Sequence, residues 1–245
     1  MKNDELYRRI KQQRKNKDSR DIVPYLNYLQ KNRRSERLLK NVRRSIKDKA
    51  SLKEALIQFI IADVTAFEVY FRDLFHASFT FCLDEREFFT KCEKLVDKKF
   101  DFQDLVIISY DQIELCDIII EHQKFQNLSN LDKIFSTVIK ENFFNSLNNR
   151  EFEIKSSEHD KHPIIFKLEP NWYKNLDEYL RLRHNLTHDF NPKLKINPER
   201  IDELHGIMSD VIIAADIVFR EEVFVPNVIN RRGKRQQKQN QRKIK

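Results

Sequence analysis

The 245-residue chain is 40% hydrophobic and 34% charged, carries a net charge of +8, and contains two glycines and six prolines. Nineteen phenylalanines and seven tyrosines supply a core. So few turn-making residues argue against a glycine-cornered sheet protein and favour long helices. The charged N-terminal stretch lacks the pattern of a signal peptide, and no apolar run reaches the length of a membrane span, so a secreted or membrane-spanning chain is not expected.

Charge is segregated along the chain. Residues 1–50 hold 17 Lys and Arg against 6 Asp and Glu, residues 229–245 hold 8 against none, and residues 51–228 carry a net −11. Two basic arms flank an acidic body. Such arms suit a polyanion such as RNA, or attraction to the protein's own acidic body, and composition leaves both open. Cys82, Cys92 and Cys116 lack C-x-x-C spacing and read as small buried hydrophobes in a reducing, cytoplasmic compartment.

In chain order, residues 4–17 are helix-competent but almost wholly polar, and are expected to fray or to dock only on a partner. From Asp21, with Pro24 in the first turn, a thin apolar stripe of Tyr25, Tyr28, Leu29, Leu38, Leu39, Val42 and Ile46 predicts a helix laid over a bundle surface, its other face basic. Ser51 and Glu54 have capping-box spacing and open the strongest helix. It runs to about Phe81, a rod of about 45 Å. Glu68 and Arg72 interrupt its apolar positions at i,i+4 and read as a surface ion pair. Amphipathic helices are predicted over 84–99 and 101–124, and from an N-cap at Ser129 to about Leu147.

The alternating runs EFEIK (151–155) and PIIFKLE (163–169) predict a β-hairpin near 151–168 or an ordered loop. Pro170 opens a helix that ends in RLRHNLTHDF, Arg181 to Phe190, where Asn191-Pro192 should stop it. Asn197-Pro198 opens the last helix, to about Phe224. The tail from Asn230 has no apolar payload and is expected to be disordered when free. The fold class is therefore all-α: an up-and-down helical bundle over 51–228 with a long spine helix, a helical basic extension over 1–50, and a basic tail over 229–245.

The stretch ending the 170–188 helix collects Arg183, His184, Asn185 and His188 within six residues. RNA carries its own nucleophile, the 2′-hydroxyl, so its cleavage needs proton transfer and a cation on the phosphate. Histidine titrates near neutrality and can move the proton. Arginine is always charged, and its fork matches phosphate oxygens. On this reading His188 transfers protons, Arg183 clamps phosphate, and His184 and Asn185 orient the substrate. Two rivals stand beside it. A histidine near a helix C-terminus can simply complement the dipole. His184 and His188, at i,i+4, could share a metal, with His159, His162 or an acid elsewhere as a third ligand, though the H-E-x-x-H pattern is absent. Five residues apart, Arg183 and His188 lie about 140° apart on a regular helix, so either the helix loosens or a second chain completes the site.

Arg183, polar His184 and His188 in R-x4-H order resemble the signature of the HEPN superfamily, and TAFEVYFRDLF, Thr65 to Phe75, looks like an early helix of several bacterial members. The resemblance covers roughly Ser51 to Val225. It implies a metal-independent endoribonuclease without cofactor, a homodimer with both motifs in one cleft, and a role in toxin–antitoxin or abortive-infection defence on transfer or messenger RNA, with a neutralising or regulatory protein as a further partner. The other classes left open are a non-catalytic helical RNA-binding or adaptor protein and a partnering subunit.

Overall fold

A single 33-residue helix sets the frame. The computed structural model describes residues 4–17, 23–82, 84–96, 100–139, 141–148, 150–154, 164–188 and 197–224. Within them lie α1 (Asp4–Lys17), α2 (Pro24–Ser45), α3 (Lys49–Phe81), α4 (Glu85–Cys92), α5 (Phe102–Tyr110), α6 (Leu115–His122), α7 (Leu128–Val138), α8 (Phe143–Leu147), the strands β1 (Glu151–Ile154) and β2 (Ile164–Lys167), then α9 (Trp172–His188) and α10 (Pro198–Phe219). This is an all-α bundle with one small hairpin.

The spine is α3. Ile60, Val64, Phe67, Phe71, Leu74 and Phe75 recur at helical spacing and are fully buried. Phe71 meets the rings of Phe135 on α7 and Phe143 on α8 at centroid distances of 5.5 and 6.3 Å. The cap of α3 is Asp48 rather than Ser51, because the Asp48 carboxylate accepts the Ser51 amide at 2.7 Å.

Three helices lie along the spine. α2 turns back against it as expected from its thin stripe. Tyr28 packs edge-on to Tyr70 and bonds Ser209 through its hydroxyl, while Arg43 pairs with Asp202 at the start of α10. Tyr179 and Arg183 of α9 reach Asp63 and Glu68, and His205 and Ile212 of α10 reach Asp63 and Tyr70. Both helices therefore run in the same sense as α3.

Several segments depart from expectation. The helix predicted over 101–124 is two, α5 and α6, broken where Gln112 adopts a left-handed φ of 52°. The helix predicted from Ser129 to Leu147 is also two. Asn127 caps α7, Asn142 caps α8, and Asp132 ties them by accepting from Asn142 Nδ2 and the Phe144 amide. The 84–99 helix becomes α4 and one 3-10 turn, Glu93–Leu95.

The polar 4–17 segment docks on the protein's own body. Leu6, Tyr7 and Ile10, at i, i+1 and i+4, bury against Ile113 and Ile118. Tyr7 donates to Asp104 at 2.9 Å, and Arg9, Lys11 and Arg14 pair with Glu121, Asp111 and Asp117.

The alternating runs form the hairpin. β1 and β2 pair antiparallel with Glu151 opposite Lys167 and Phe152 opposite Phe166. His159, His162, Asp189, the Asn191-Pro192 stop and the basic tail lie outside the described residues. No helix among the described residues is long and apolar enough to cross a membrane.

Candidate functional site

The R-x4-H residues stand at the end of α9, and two sets of contacts fix that helix on the bundle. The first is Asp63, 1% exposed on the spine. Its Oδ2 accepts from the Tyr179 hydroxyl at 2.9 Å and meets His205 Nδ1 at 2.7 Å, so one carboxylate fastens α3, α9 and α10. Burial works against charge on His205, but the bond and charge of Asp63, with Glu36 3.8 Å away, outweigh it and raise its pKa above the usual value. The second is Arg200 at the start of α10, which donates to both oxygens of Glu178 and to Asn175. Tyr179 sits one turn before Arg183, so these contacts set where the motif lands.

Arg183, His184, Asn185 and His188 line one open cavity of about 790 Å³. Its other walls are Glu68 and Arg72 of α3, the connection Gln123 to Asn127 between α6 and α7, and Asp177, Leu180 and Arg181 of α9. All four sequence-predicted residues are thus brought together, although α9 stays helical through His188. His184, Asn185 and His188 are exposed. The His184 and His188 rings lie 4.5 Å apart between centroids.

Arg183 is the deep member, its side chain 18% exposed against 12% for Glu68. Its Nη2 lies 3.6 Å from Glu68 Oε1, an ion pair longer than a hydrogen bond, and its Nη1 donates to Gln126 Oε1 at 3.2 Å. Glu68 therefore faces the motif arginine. The expected Glu68–Arg72 surface pair is replaced, and Arg72 lies 5.9 Å above the Phe125 ring instead. The bundle turns this part of α3 toward α9, which pulls Glu68 out of reach of a simple solvated pairing.

Hydrogen bonding is incomplete here. Among the described residues, six buried side-chain polar atoms lack a hydrogen-bond partner, and three of them are Glu68 Oε1, Arg72 Nε and Arg183 Nε. Each such atom costs about 1–3 kcal/mol. Clusters of them mark places where structure is held for something other than stability. Cations prevail as well. Arg72, Lys124, Arg181 and Arg183 face Glu68 and Asp177, and Asp177 is paired with Arg181 at 2.8 Å.

The sequence offers Glu68 as an acid to offset the Arg183 charge, but Arg72 and Gln126 are among the lining residues that sequence reasoning did not assign to the site. The signal for Glu68 and Arg72 was present as polar interruptions of an apolar helix. As to metal, His159 and His162, two of the candidate third ligands for His184 and His188, lie outside the described residues. A separate trio, His76, Glu114 and Asp117, brings ligand atoms within 4.8 Å of one another. The Arg14 guanidinium already neutralises its carboxylates, at 2.9 Å from Asp117 and 3.6 Å from Glu114.

No protein-family model, no curated protein and no solved structure matches the chain.

Proposed function

We propose that the chain is a metal-independent endoribonuclease of the HEPN type, acting at a cleft shared by two copies. The observation that supports it most is the under-satisfied cationic cavity. Arg183 is held by one hydrogen bond to Gln126 and an ion pair too long to be a hydrogen bond, beside two exposed histidines and the half-buried Arg72 with an unpartnered Nε. A guanidinium so loosely held can turn its fork to a phosphate without breaking a strong bond.

The chemistry follows from these groups. A base removes the proton of the RNA 2′-hydroxyl, and the oxygen attacks the adjacent phosphorus. The bond from phosphorus to the 5′-oxygen breaks, and that oxygen takes a proton from an acid. The products are a 2′,3′-cyclic phosphate and a 5′-hydroxyl. His188 serves as proton-transfer residue and Arg183 stabilises the charge on the phosphorane. His184 and Asn185 orient the substrate. A two-fold axis supplies a second His188, so that base and acid are separate groups. Because α9 remains regular through His188, the second chain is the favoured way to complete the site. By the same resemblance the biological role is that of a toxin or defence effector held in check by a neutralising protein.

The test is incubation of purified chain with total RNA in EDTA, wild type against His188→Ala. Cleavage by the wild type alone, leaving cyclic phosphate ends, is expected. Cleavage that needs added Mg²⁺ or Zn²⁺ refutes the mechanism, and tight RNA binding without cleavage favours the non-catalytic RNA-binding reading.

A further inference from the structure

The two N-terminal helices use their positive charge differently. Three cations of α1 are matched by acids of the body: Arg9 by Glu121 at 3.1 Å, Lys11 by Asp111 at 2.8 Å and Arg14 by Asp117 at 2.9 Å. Attraction to the acidic body therefore accounts for α1. It does not account for α2.

On α2, Arg33, Arg37, Lys40 and Arg44 follow one another at i, i+4, i+7 and i+11. At about 100° per residue they fall within an arc of about 60°, and at about 1.5 Å per residue they form a straight file about 16 Å long. All four are exposed. Among the described residues none of them makes an ion pair or hydrogen bond through its side chain. The only acid of the helix, Glu36, is turned away toward His205. Nor does the file hold α2 in place, because that is done by buried Tyr28 and Leu39 and by Arg43 on Asp202. Four cations are thus kept at one-turn intervals with no acid among them and no structural task.

We propose that this face of α2 is a binding track for the phosphate backbone of RNA, separate from the cavity at the end of α9. The inference rests on the ribonuclease reading only for the choice of RNA over another linear polyphosphate. A linear polyanion fits better than an anionic membrane. A flat surface would meet the acidic body, with its net −11 over residues 51–228, together with the file, whereas a strand touches the file alone. The file includes three arginines, whose forks suit phosphate oxygens.

The experiment is a salt titration of binding to a fluorescent 2′-O-methyl oligouridylate of about 15 nucleotides, using the full chain. This probe lacks the nucleophilic hydroxyl, so affinity is read whether or not the chain cleaves RNA. A wild type that cuts no RNA removes the nuclease reading and leaves this one to its own result. In the quadruple variant Arg33→Gln, Arg37→Gln, Lys40→Gln, Arg44→Gln, the slope of log affinity against log salt should flatten by about 3 over the range of about 50 to 200 mM, at about 0.7 per single-strand phosphate. The pair Arg37→Gln, Arg44→Gln should give about half of that, and keeps the test decisive if the quadruple variant loses its helical circular dichroism. An unchanged slope in folded variants overturns the proposal. Loss of binding to phosphatidylserine vesicles with the RNA slope unchanged also overturns it, and assigns the face to a lipid surface.

Discussion

Asp63→Asn is the most informative single change, because one carboxylate oxygen receives both Tyr179 and His205. The amide oxygen of asparagine can stand in the same place, so the shape survives and the charge is lost. Hydrogen bonds to a charged group contribute about 1.5–3 kcal/mol, roughly twice the neutral equivalent. Halving two of them gives an expected loss of about 2 kcal/mol. For a chain of this size that corresponds to a fall in Tm of about 4–8 °C.

The pH dependence is sharper than the magnitude. In the wild type the raised pKa of His205 gives stability that is fully present below 6.5, the unfolded value, and is lost as pH rises through the folded value. Without the Asp63 charge, burial dominates and depresses the His205 pKa, so the variant gains stability with rising pH over that region. The gap between the two proteins should therefore be widest at acid pH and narrow above 6.5. Urea unfolding at several pH values reads it. The signal is Trp172, the only tryptophan, 3% exposed at the start of the helix that Tyr179 tethers. A gap that is absent, or that stays constant with pH, would refute the account of Asp63 as the charged fastener of three helices.

Other expectations follow from single residues. His188→Ala and Arg183→Ala should abolish RNA cleavage with far-UV circular dichroism unchanged, and full activity in both would eliminate the proposed site. Mixing those two variants should restore part of the activity if each cleft draws on both chains; a strict monomer by light scattering that still cleaves RNA would sink the shared cleft. Burial pushes Asp216 up to about 6 against the pull of Arg220, so stability should fall as pH rises from 3.8 toward that value, and Asp216→Asn should remove this slope in urea unfolding. Gly206 lies exposed within α10 with nothing within 4 Å of an added Cβ, so Gly206→Ala should stabilise by about 0.5–1 kcal/mol, read as a small rise in Tm.

The spine, the motif helix and the last helix were legible because each carries a long apolar stripe at helical spacing. The hairpin was legible as one of two alternatives, from period-two alternation. The break between α5 and α6 was not, because Gln112 takes a left-handed backbone without glycine or proline to announce it. The docking of α1 was hidden for a different reason. Leu6, Tyr7 and Ile10 cover only one narrow face, and the rest of the attachment is ionic, made with acids about a hundred residues away. At the site, Arg183 and His188 could be named from spacing. That Glu68 faces Arg183 in place of Arg72 could not be read, since an i,i+4 neighbour is visible in sequence and a facing helix is not. Asp48 takes the Ser51 amide that Glu54 would accept in a capping box, a competition between two carboxylates that the pattern does not rank.

The partners of α1 lie near the middle of the chain, with sequence separations of 97 for Tyr7 to Asp104, 103 for Arg14 to Asp117 and 108 for Gln13 to Glu121. On a ribosome, α1 emerges before any part of its docking site has been made. Closing a loop of that length carries an entropy cost that short-range pairs such as α2 on α3 do not bear. Helix α1 therefore waits for about a hundred further residues to be made before it can seat. During that interval Leu6, Tyr7 and Ile10 are open to the α6 of another copy at high local concentration, as on a polysome, where exchange of α1 between chains would link them without any new interface.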